Sequence, residues 1–275
     1  MKSILILRAK DWGIRRMSSY WENRIANAQQ KISDKTIKEI NKQLSKYYRR
    51  ASERIIRDFE SVYNKIEVMR AEGKEPTPAD LYKLDKYWQA QAQMRRELQK
   101  LGERKISTLT KAFEANFFDI YYSIALPGDE AFNTVDTKIV QQLINQVWVA
   151  DGKSWSQRIW DNIERLTDTL NEQLIHIVAT GKKNTELVNA LQDRFNVSYN
   201  RANTLVRTEI AHIQTEAAKK RYQDYGIEFV EVLVDPDNRT CELCKALMGK
   251  KFLVNATPPL PVHPNERCCL VPVIN

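Results

Sequence analysis

The chain has 275 residues, a length that suits one large domain or two modest ones. Apolar residues make up 43% of it and charged residues 28%, with only eight Gly and nine Pro. This composition favours a folded, mainly helical protein and excludes disorder over most of the chain. The formal net charge is +8, a moderate excess that fits either an ordinary solvated surface or contact with a polyanion.

Nothing in the sequence predicts secretion or contact with a membrane. The early apolar run "ILIL" is shorter than the hydrophobic part of a signal peptide, and no small-residue cleavage site follows it. No stretch approaches the ~18 uninterrupted apolar residues of a membrane span. We therefore expect a protein that is made and kept in a cytoplasm, where clustered cysteines bind metal more often than they form disulfides.

Residues 1–35 are predicted to form a basic N-terminal arm and a lead-in to the first helix. Five basic residues stand against one acidic residue at the start of this segment. They are Lys2, Arg8, Lys10, Arg15 and Arg16. Such a cluster predicts weak, sequence-independent contact with DNA phosphates, and a solvated tail is the alternative interpretation.

Residues 36–126 are predicted to form a long helical hairpin. Apolar residues recur at steps of three and four through the first half of this segment, as on one amphipathic helix. The pattern breaks at Gly73 and Pro76, and a second helical stretch starts at Pro78 and continues with a kink near Gly102. Two such helices joined by a short connection pack antiparallel.

Residues 127–226 are predicted to form a helical domain, which the turn sequence "LPGDEAFNTVD" separates from the hairpin. The helical pattern returns in four stretches, at about residues 139–147, 155–181, 187–195 and 198–225. Gly226 follows the last of them, as a C-terminal cap does. We expect His176, which lies within an apolar run, to be buried, as are the aromatic side chains Trp88, Tyr121 and Tyr122 of the hairpin.

Residues 227–275 are predicted to form a small module that contains a strand and every cysteine of the chain. Val230, Val232 and Val234 alternate with polar residues, as on one face of a β-strand. The predicted fold class is therefore mainly α, with a long N-terminal hairpin, a C-terminal helical domain and a terminal α+β module stapled by zinc.

The zinc prediction comes from ligand types and spacing. Cys241 and Cys244 form a C-x2-C pair, and His263 and Cys268 follow at C-x18-H-x4-C spacing. Zinc in structural sites takes four nitrogen and sulfur ligands in a closed tetrahedron, so such a site would stabilise a fold and not activate water. Two alternatives stay open: Cys269 replaces its neighbour as the fourth ligand, or the thiols are buried or oxidised without metal.

A polar stripe follows the last predicted helix at steps of three and four. It contains Arg201, Thr204, Thr208, His212 and Thr215, with Arg207 and Glu209 beside it. We predict that these side chains hydrogen-bond the strand or the cysteine turn, which is a structural role. Catalysis is the alternative, although two residues at a spacing of two do not face each other on a helix.

The C-terminal sequence resembles phage head-morphogenesis, or minor capsid, proteins related to phage Mu protein F. In that family an Arg-Thr-Glu helix leads to a Gly, a strand, an Asp, a C-x2-C turn with a Gly, and a terminal His-Pro-Asn-Cys-Arg-Cys element. The matching residues are Arg207, Thr208, Glu209, Gly226, Asp235, Cys241, Cys244, Gly249, His263, Pro264, Asn265, Arg267 and Cys268. One departure is Glu266, which stands where the family pattern has its first terminal cysteine.

The resemblance implies a low-copy head component that enters the procapsid at or near the portal and meets packaged DNA. Its expected partners are the portal protein, the scaffold or major capsid protein, and DNA bound without sequence preference. Its expected location is the host cytoplasm during assembly and then the interior of the virion head. Two other interpretations remain: a nuclease or toxin-like enzyme domain on a helical carrier, with His212 or His263 as general base, and a plain DNA-binding protein.

Overall fold

The computed structural model describes residues 20–126, 134–234 and 240–273. These residues form a mainly helical protein with one small sheet, as the sequence predicts. The helices are α1 (Tyr20–Ala71), α2 (Pro78–Leu81), α3 (Asp85–Ser123), α4 (Thr137–Asn145), α5 (Trp155–Ala179), α6 (Asn184–Asp224) and α7 (Glu242–Leu247). The strands are β1 (Phe229–Leu233), β2 (Lys251–Leu253) and β3 (Cys269–Pro272), and a 3-10 turn spans Val254–Ala256.

The described residues fall into two compact units, each assembled from separate parts of the chain. Unit 1 takes its residues from Met1–Ile37, Phe113–Ile144 and Arg207–Asn275. Unit 2 comprises Lys38–Ala112 and Asn145–Val206.

Unit 2 contains residues 38–112 of the predicted helical hairpin. The later part of α1 and the earlier part of α3 pair in antiparallel order, since Lys86 contacts Ser61 near the turn and Thr108 contacts Tyr47 at the other end. Helix α5 begins with a capping box, in which the Ser154 hydroxyl and the Gln157 side chain satisfy each other's backbone N–H groups. The apolar stripes of these helices supply the buried core of this unit.

Helix α1 extends further toward the N-terminus than the sequence predicts. The apolar pattern places its start at residue 36, but the helix is already formed at Tyr20. The buried face of the added part carries the polar side chains of Gln29 and Ser33. Gln29 and Ser33 interrupt the apolar pattern between the buried Ile25 and Ile37, so the periodicity does not extend to Tyr20 and the prediction of the start was wrong.

Helix α6 is also one continuous helix, although the sequence predicts two. Ser198, where the sequence predicts the second of these helices to start, is 2% exposed. Its carbonyl oxygen accepts hydrogen bonds from the Tyr48 hydroxyl and from the Asn162 amide. A buried hydroxyl residue inside a helix therefore imitates a helix start at the level of sequence.

Several predictions for individual side chains in the helices were wrong. Trp88 and Tyr122 are exposed, whereas Tyr121 is buried as predicted. His176 is exposed on α5 and not part of the core. Helix α3 is continuous through Gly102, where a Cβ atom would lie 2.5 Å from the ring of Trp160. The glycine thus allows close packing of an indole ring.

The sheet belongs to unit 1 and has the strand order β2-β1-β3, with both pairs antiparallel. Val232 of β1 lies opposite Leu270 of β3, and both are fully buried. Helix α6 supplies Tyr222, whose hydroxyl donates to the Leu270 carbonyl at 2.9 Å. Gly226 has φ +73°, and this left-handed conformation terminates α6 before the chain enters β1.

Parts of the predicted organisation lie outside the described residues. These are the basic arm with Lys2, Arg8, Lys10, Arg15 and Arg16, the centre of the turn between the hairpin and the helical domain, and Asp235. The four-segment division of the chain therefore stays a prediction, which limited proteolysis around residues 126–136 would test. Among the described helices, none is both long enough and apolar enough to cross a bilayer.

Candidate metal centre

The C-x2-C pair is built by the start of α7. Cys241 is the N-cap residue of that helix, with extended backbone angles, and its Sγ accepts the Cys244 backbone N–H at 3.4 Å. The Cys241 sulfur atom in this position takes the place of the usual serine or aspartate cap. The helix turn therefore brings the two sulfur atoms to the same side of the chain.

His263 approaches this pair from the following loop. Its Nε2 atom lies 3.2 Å from the Sγ of Cys244, and its Nδ1 lies 2.9 Å from the Pro264 carbonyl oxygen. A carbonyl accepts only, so Nδ1 carries the proton and Nε2 keeps its lone pair for the cysteine side. The ligand atoms of Cys241, Cys244 and His263 lie within 4.8 Å of one another.

A second group of three shares Cys244 with the first. The ligand atoms of Cys244, Glu266 and Cys268 also lie within 4.8 Å of one another, and all three residues are buried. Asn265 precedes Glu266 in the left-handed conformation, with φ 63°, and its N–H donates to the Thr208 hydroxyl at 3.4 Å. This turn directs the next side chain inward.

The pKa values of the three thiols indicate how a bound cation would change their protonation. The hydrogen bond from the Cys244 N–H lowers the pKa of the Cys241 thiol, whereas burial and the neighbouring Cys241 raise the pKa of Cys244 to about 11. Burial and the Glu266 carboxylate raise the pKa of Cys268 still further. Buried thiols next to a carboxylate retain their protons, and a divalent cation bound between them would release those protons.

Adjacent Cys268 and Cys269 have different surroundings. Cys269 begins β3, and its Sγ accepts the Gln214 amide at 2.9 Å. It belongs to neither of the two groups of possible ligands. The structure thus brings Cys268 to Cys244 and Glu266, and directs Cys269 toward Gln214 of α6.

The polar stripe of α6 has two different surroundings. In unit 2, Arg201 is exposed and Thr204 is partly buried. In unit 1, Thr208, Glu209, His212 and Thr215 are buried, while Arg207 is exposed. The part in unit 1 supports the loop that carries His263 and Glu266.

His212 contributes to that support through a short contact. Its Nδ1 lies 3.0 Å from the Leu260 carbonyl oxygen, and burial lowers its pKa below the usual value. This histidine is therefore a buried partner of the loop backbone, and its burial favours the neutral imidazole. Thr208, through Asn265, holds the other end of the same loop.

Sequence reasoning missed several residues that shape this region. Glu266 was noticed only as a departure from a cysteine, although the structure buries it among the ligand candidates. Gln29 and Ser33 were missed entirely, although their spacing of four positions on α1 was a signal of a shared helix face. Both connect to Gln214 of α6, and through it to Cys269.

Comparison with known families adds an independent observation. Residues 168–270 match the model of a family described as Phage Mu protein F like protein. The matched segment includes the polar stripe of α6, β1 and all of the ligand candidates. The match confirms the resemblance to phage head-morphogenesis proteins predicted from the C-terminal sequence. Searches among curated proteins and among solved structures gave no match.

Proposed function

We propose that the protein is a minor head protein of a tailed phage or prophage, present in few copies and associated with the portal during procapsid assembly. The family match over residues 168–270 carries this proposal. The protein acts by binding and does no chemistry. It works in the host cytoplasm during assembly and then resides in the virion head, with the scaffold or major capsid protein as further contacts.

The turn of the hairpin offers a docking element for the portal. Tyr82 and Trp88 are 47% and 55% exposed, and they flank Tyr87, which is buried. The three rings are in contact. The centre of the Tyr87 ring lies 5.4 Å from the centre of the Tyr82 ring and 5.2 Å from that of the Trp88 ring. The indole N–H of Trp88 also donates to the Tyr82 carbonyl at 2.9 Å. Exposed aromatic rings held in place by a buried one suit the anchor of a protein interface.

Co-expression with the portal protein of the same phage, followed by size-exclusion chromatography at low salt, tests this association. We expect the full chain to migrate with the portal ring and the Tyr82→Ser/Trp88→Ala variant to migrate alone. Tyr122→Ala is the matched control, because Tyr122 is similarly exposed but lies in unit 1. A full chain that never migrates with the ring would contradict the portal role, and a double variant that still does so would contradict only the docking element.

Contact with packaged DNA is a separate part of the proposal and rests on the basic arm. Each phosphate that a Lys or Arg neutralises releases counterions, so affinity for DNA falls as salt rises. Removal of residues 1–16 should therefore reduce the slope of log affinity against log salt. A slope that stays the same would show that the arm makes no phosphate contacts.

A structural zinc ion is the proposed cofactor of the C-terminal module. Cys241, Cys244 and His263 supply three ligands, and the fourth comes from residues 266–268, where the sequence predicts Cys268. The donor set fits zinc, because it combines thiolates with an imidazole whose Nε2 faces them. Metal analysis of the purified protein tests this: about one zinc per chain is expected, and a fully folded, metal-free chain would refute it.

A further inference from the structure

Glu266 is a buried carboxylate whose two oxygen atoms are in different situations. The side chain is 5% exposed. Its Oε2 accepts the backbone N–H of Val262 and that of His263, the latter at 3.4 Å. Its Oε1 is buried and accepts no hydrogen bond of ordinary geometry among the residues that the structure describes, although the carboxylate lies close enough to the Cys268 thiol to raise the pKa of that thiol. A buried polar atom without a partner costs free energy, so its position calls for a physical reason.

The surroundings of this carboxylate indicate the reason. Glu266 lies in one group with Cys244 and Cys268, and Cys244 also belongs to the group with Cys241 and His263. The two groups of possible ligands therefore meet at Cys244, and the Glu266 carboxylate lies within 4.8 Å of that shared sulfur atom. The two hydrogen bonds to Oε2 fix the carboxylate to the same loop that carries His263. This loop thus positions an imidazole and a carboxylate together.

We propose that Glu266 is itself a metal ligand and completes the set of Cys241, Cys244 and His263 through Oε1. The inference rests on the proposed zinc ion and replaces the predicted fourth ligand, Cys268. Two thiolates, one imidazole and one carboxylate around a divalent cation leave a formal charge of about −1, whereas a third thiolate beside the same carboxylate would add another buried negative charge. Cys268 remains a buried thiol packed against the site.

Cobalt substitution of the full-length protein tests the ligand set, because Co²⁺ takes the place of zinc and thiolate ligands give it a charge-transfer band. We expect two thiolates in the wild type. Cys268→Ser should leave the intensity of that band unchanged. Glu266→Gln keeps the size of the side chain and an acceptor for the Val262 N–H, yet it should weaken Co²⁺ affinity about tenfold or more.

A gain-of-ligand variant keeps the test decisive if one of these proteins folds poorly. Glu266→Cys should raise the charge-transfer intensity by one half, because a third thiolate then reaches the ion. A Glu266→Gln variant with wild-type affinity, together with a Cys268→Ser variant that loses one third of the band, would overturn the proposal in favour of Cys268. A wild-type chain that binds no Co²⁺ or Zn²⁺ would instead overturn the zinc ion on which it rests.

Discussion

The Nε2 atom of His263 lies 3.2 Å from the Sγ atom of Cys244, although 19 positions separate the two residues in the chain. Between them the chain forms most of α7, strand β2 and the 3-10 turn. One contact thus closes a loop within the terminal module. A metal ion at this point would stabilise the module by linking both ends of the loop.

Cys241→Ser should therefore loosen the terminal module. Metal binding in small zinc modules contributes on the order of 10 kcal/mol to folding, so we expect amides of β3 to exchange with solvent at least about tenfold faster, which corresponds to 1.4 kcal/mol. Hydrogen exchange with mass spectrometry measures this. The control is Leu243→Ala, an exposed position on the same helix, and equal exchange in the two variants would show that the site stabilises nothing.

Gln214 should contribute measurably to the stability of unit 1, because it connects three buried side chains by hydrogen bonds. Its Oε1 accepts the Ser33 hydroxyl at 2.7 Å, and its Nε2 donates to Gln29 and to Cys269. Gln214→Leu leaves these buried partners unsatisfied, so a loss of about 1–3 kcal/mol in the free energy of unfolding is expected. Urea denaturation measures it, with Gln30→Leu as the control because Gln30 bonds an exposed carboxylate.

A double-mutant cycle separates this network from simple loss of packing. Each single change breaks the hydrogen bond between Ser33 and Gln214. The double variant Ser33→Ala/Gln214→Leu should therefore lose less free energy of unfolding than the sum of the two single variants. Strictly additive losses would mean that the two side chains do not interact energetically.

The helices could be predicted from the sequence wherever apolar residues form their buried faces. The hairpin and α5 follow from such stripes, and β1 follows from its alternating valines. The start of α1 and the continuity of α6 could not be predicted, because Gln29, Ser33 and Ser198 are polar residues that the structure buries. Their burial depends on partners more than 140 positions away, which periodicity does not report.

The candidate site could be predicted in its ligand types but not in its geometry. The spacing of Cys241, Cys244 and His263 indicated metal, and the structure brings these residues together. The inward direction of Glu266 depends on the left-handed turn at Asn265, and a sequence does not reveal such a turn in advance. The separation of Cys268 from Cys269 likewise depends on where β3 begins.

Gly102→Ala should destabilise unit 2, although alanine favours helices. A Cβ atom at this position would lie 2.5 Å and 2.7 Å from two ring atoms of Trp160. The gain in helix propensity is about 1 kcal/mol, whereas overpacking costs typically 1–3 kcal/mol, so a net loss is expected. Thermal unfolding measures it. In a Trp160→Leu background the same change should become neutral or stabilising, and a loss that persists there would contradict the steric explanation.

The buried Lys105 should lower the free energy of unfolding of unit 2 by an amount that depends on pH. The side chain is 1% exposed, and its Nζ donates to the Tyr48 hydroxyl at 3.0 Å. In the part of the chain that the structure describes, no carboxylate forms an ion pair with it. Burial without a counter-charge lowers the pKa of this lysine from 10.5 to about 7.

The sign of the effect follows from proton linkage. Between about pH 7 and pH 10.5 the unfolded chain binds a proton at Lys105 that the folded chain does not, so the free energy of unfolding rises with pH over this window. Below the folded pKa both states are charged, and the cost of burying the charge is fully present. Lys105→Met removes that cost, while Tyr48 keeps Ser198 and Asn162 as hydrogen-bond partners.

Urea denaturation at about pH 6, 7, 8 and 9 measures the difference between the variant and the wild type. We expect Lys105→Met to be more stable at the lowest pH by at least about 1 kcal/mol, the equivalent of one unit of pKa shift, and this advantage to shrink steadily as pH rises. Lys111→Met, at an exposed position of α3, should show no such trend. If Lys105→Met is less stable at the lowest pH, or if its difference from the wild type is constant across the range, then Lys105 is not a buried titrating charge in the folded protein.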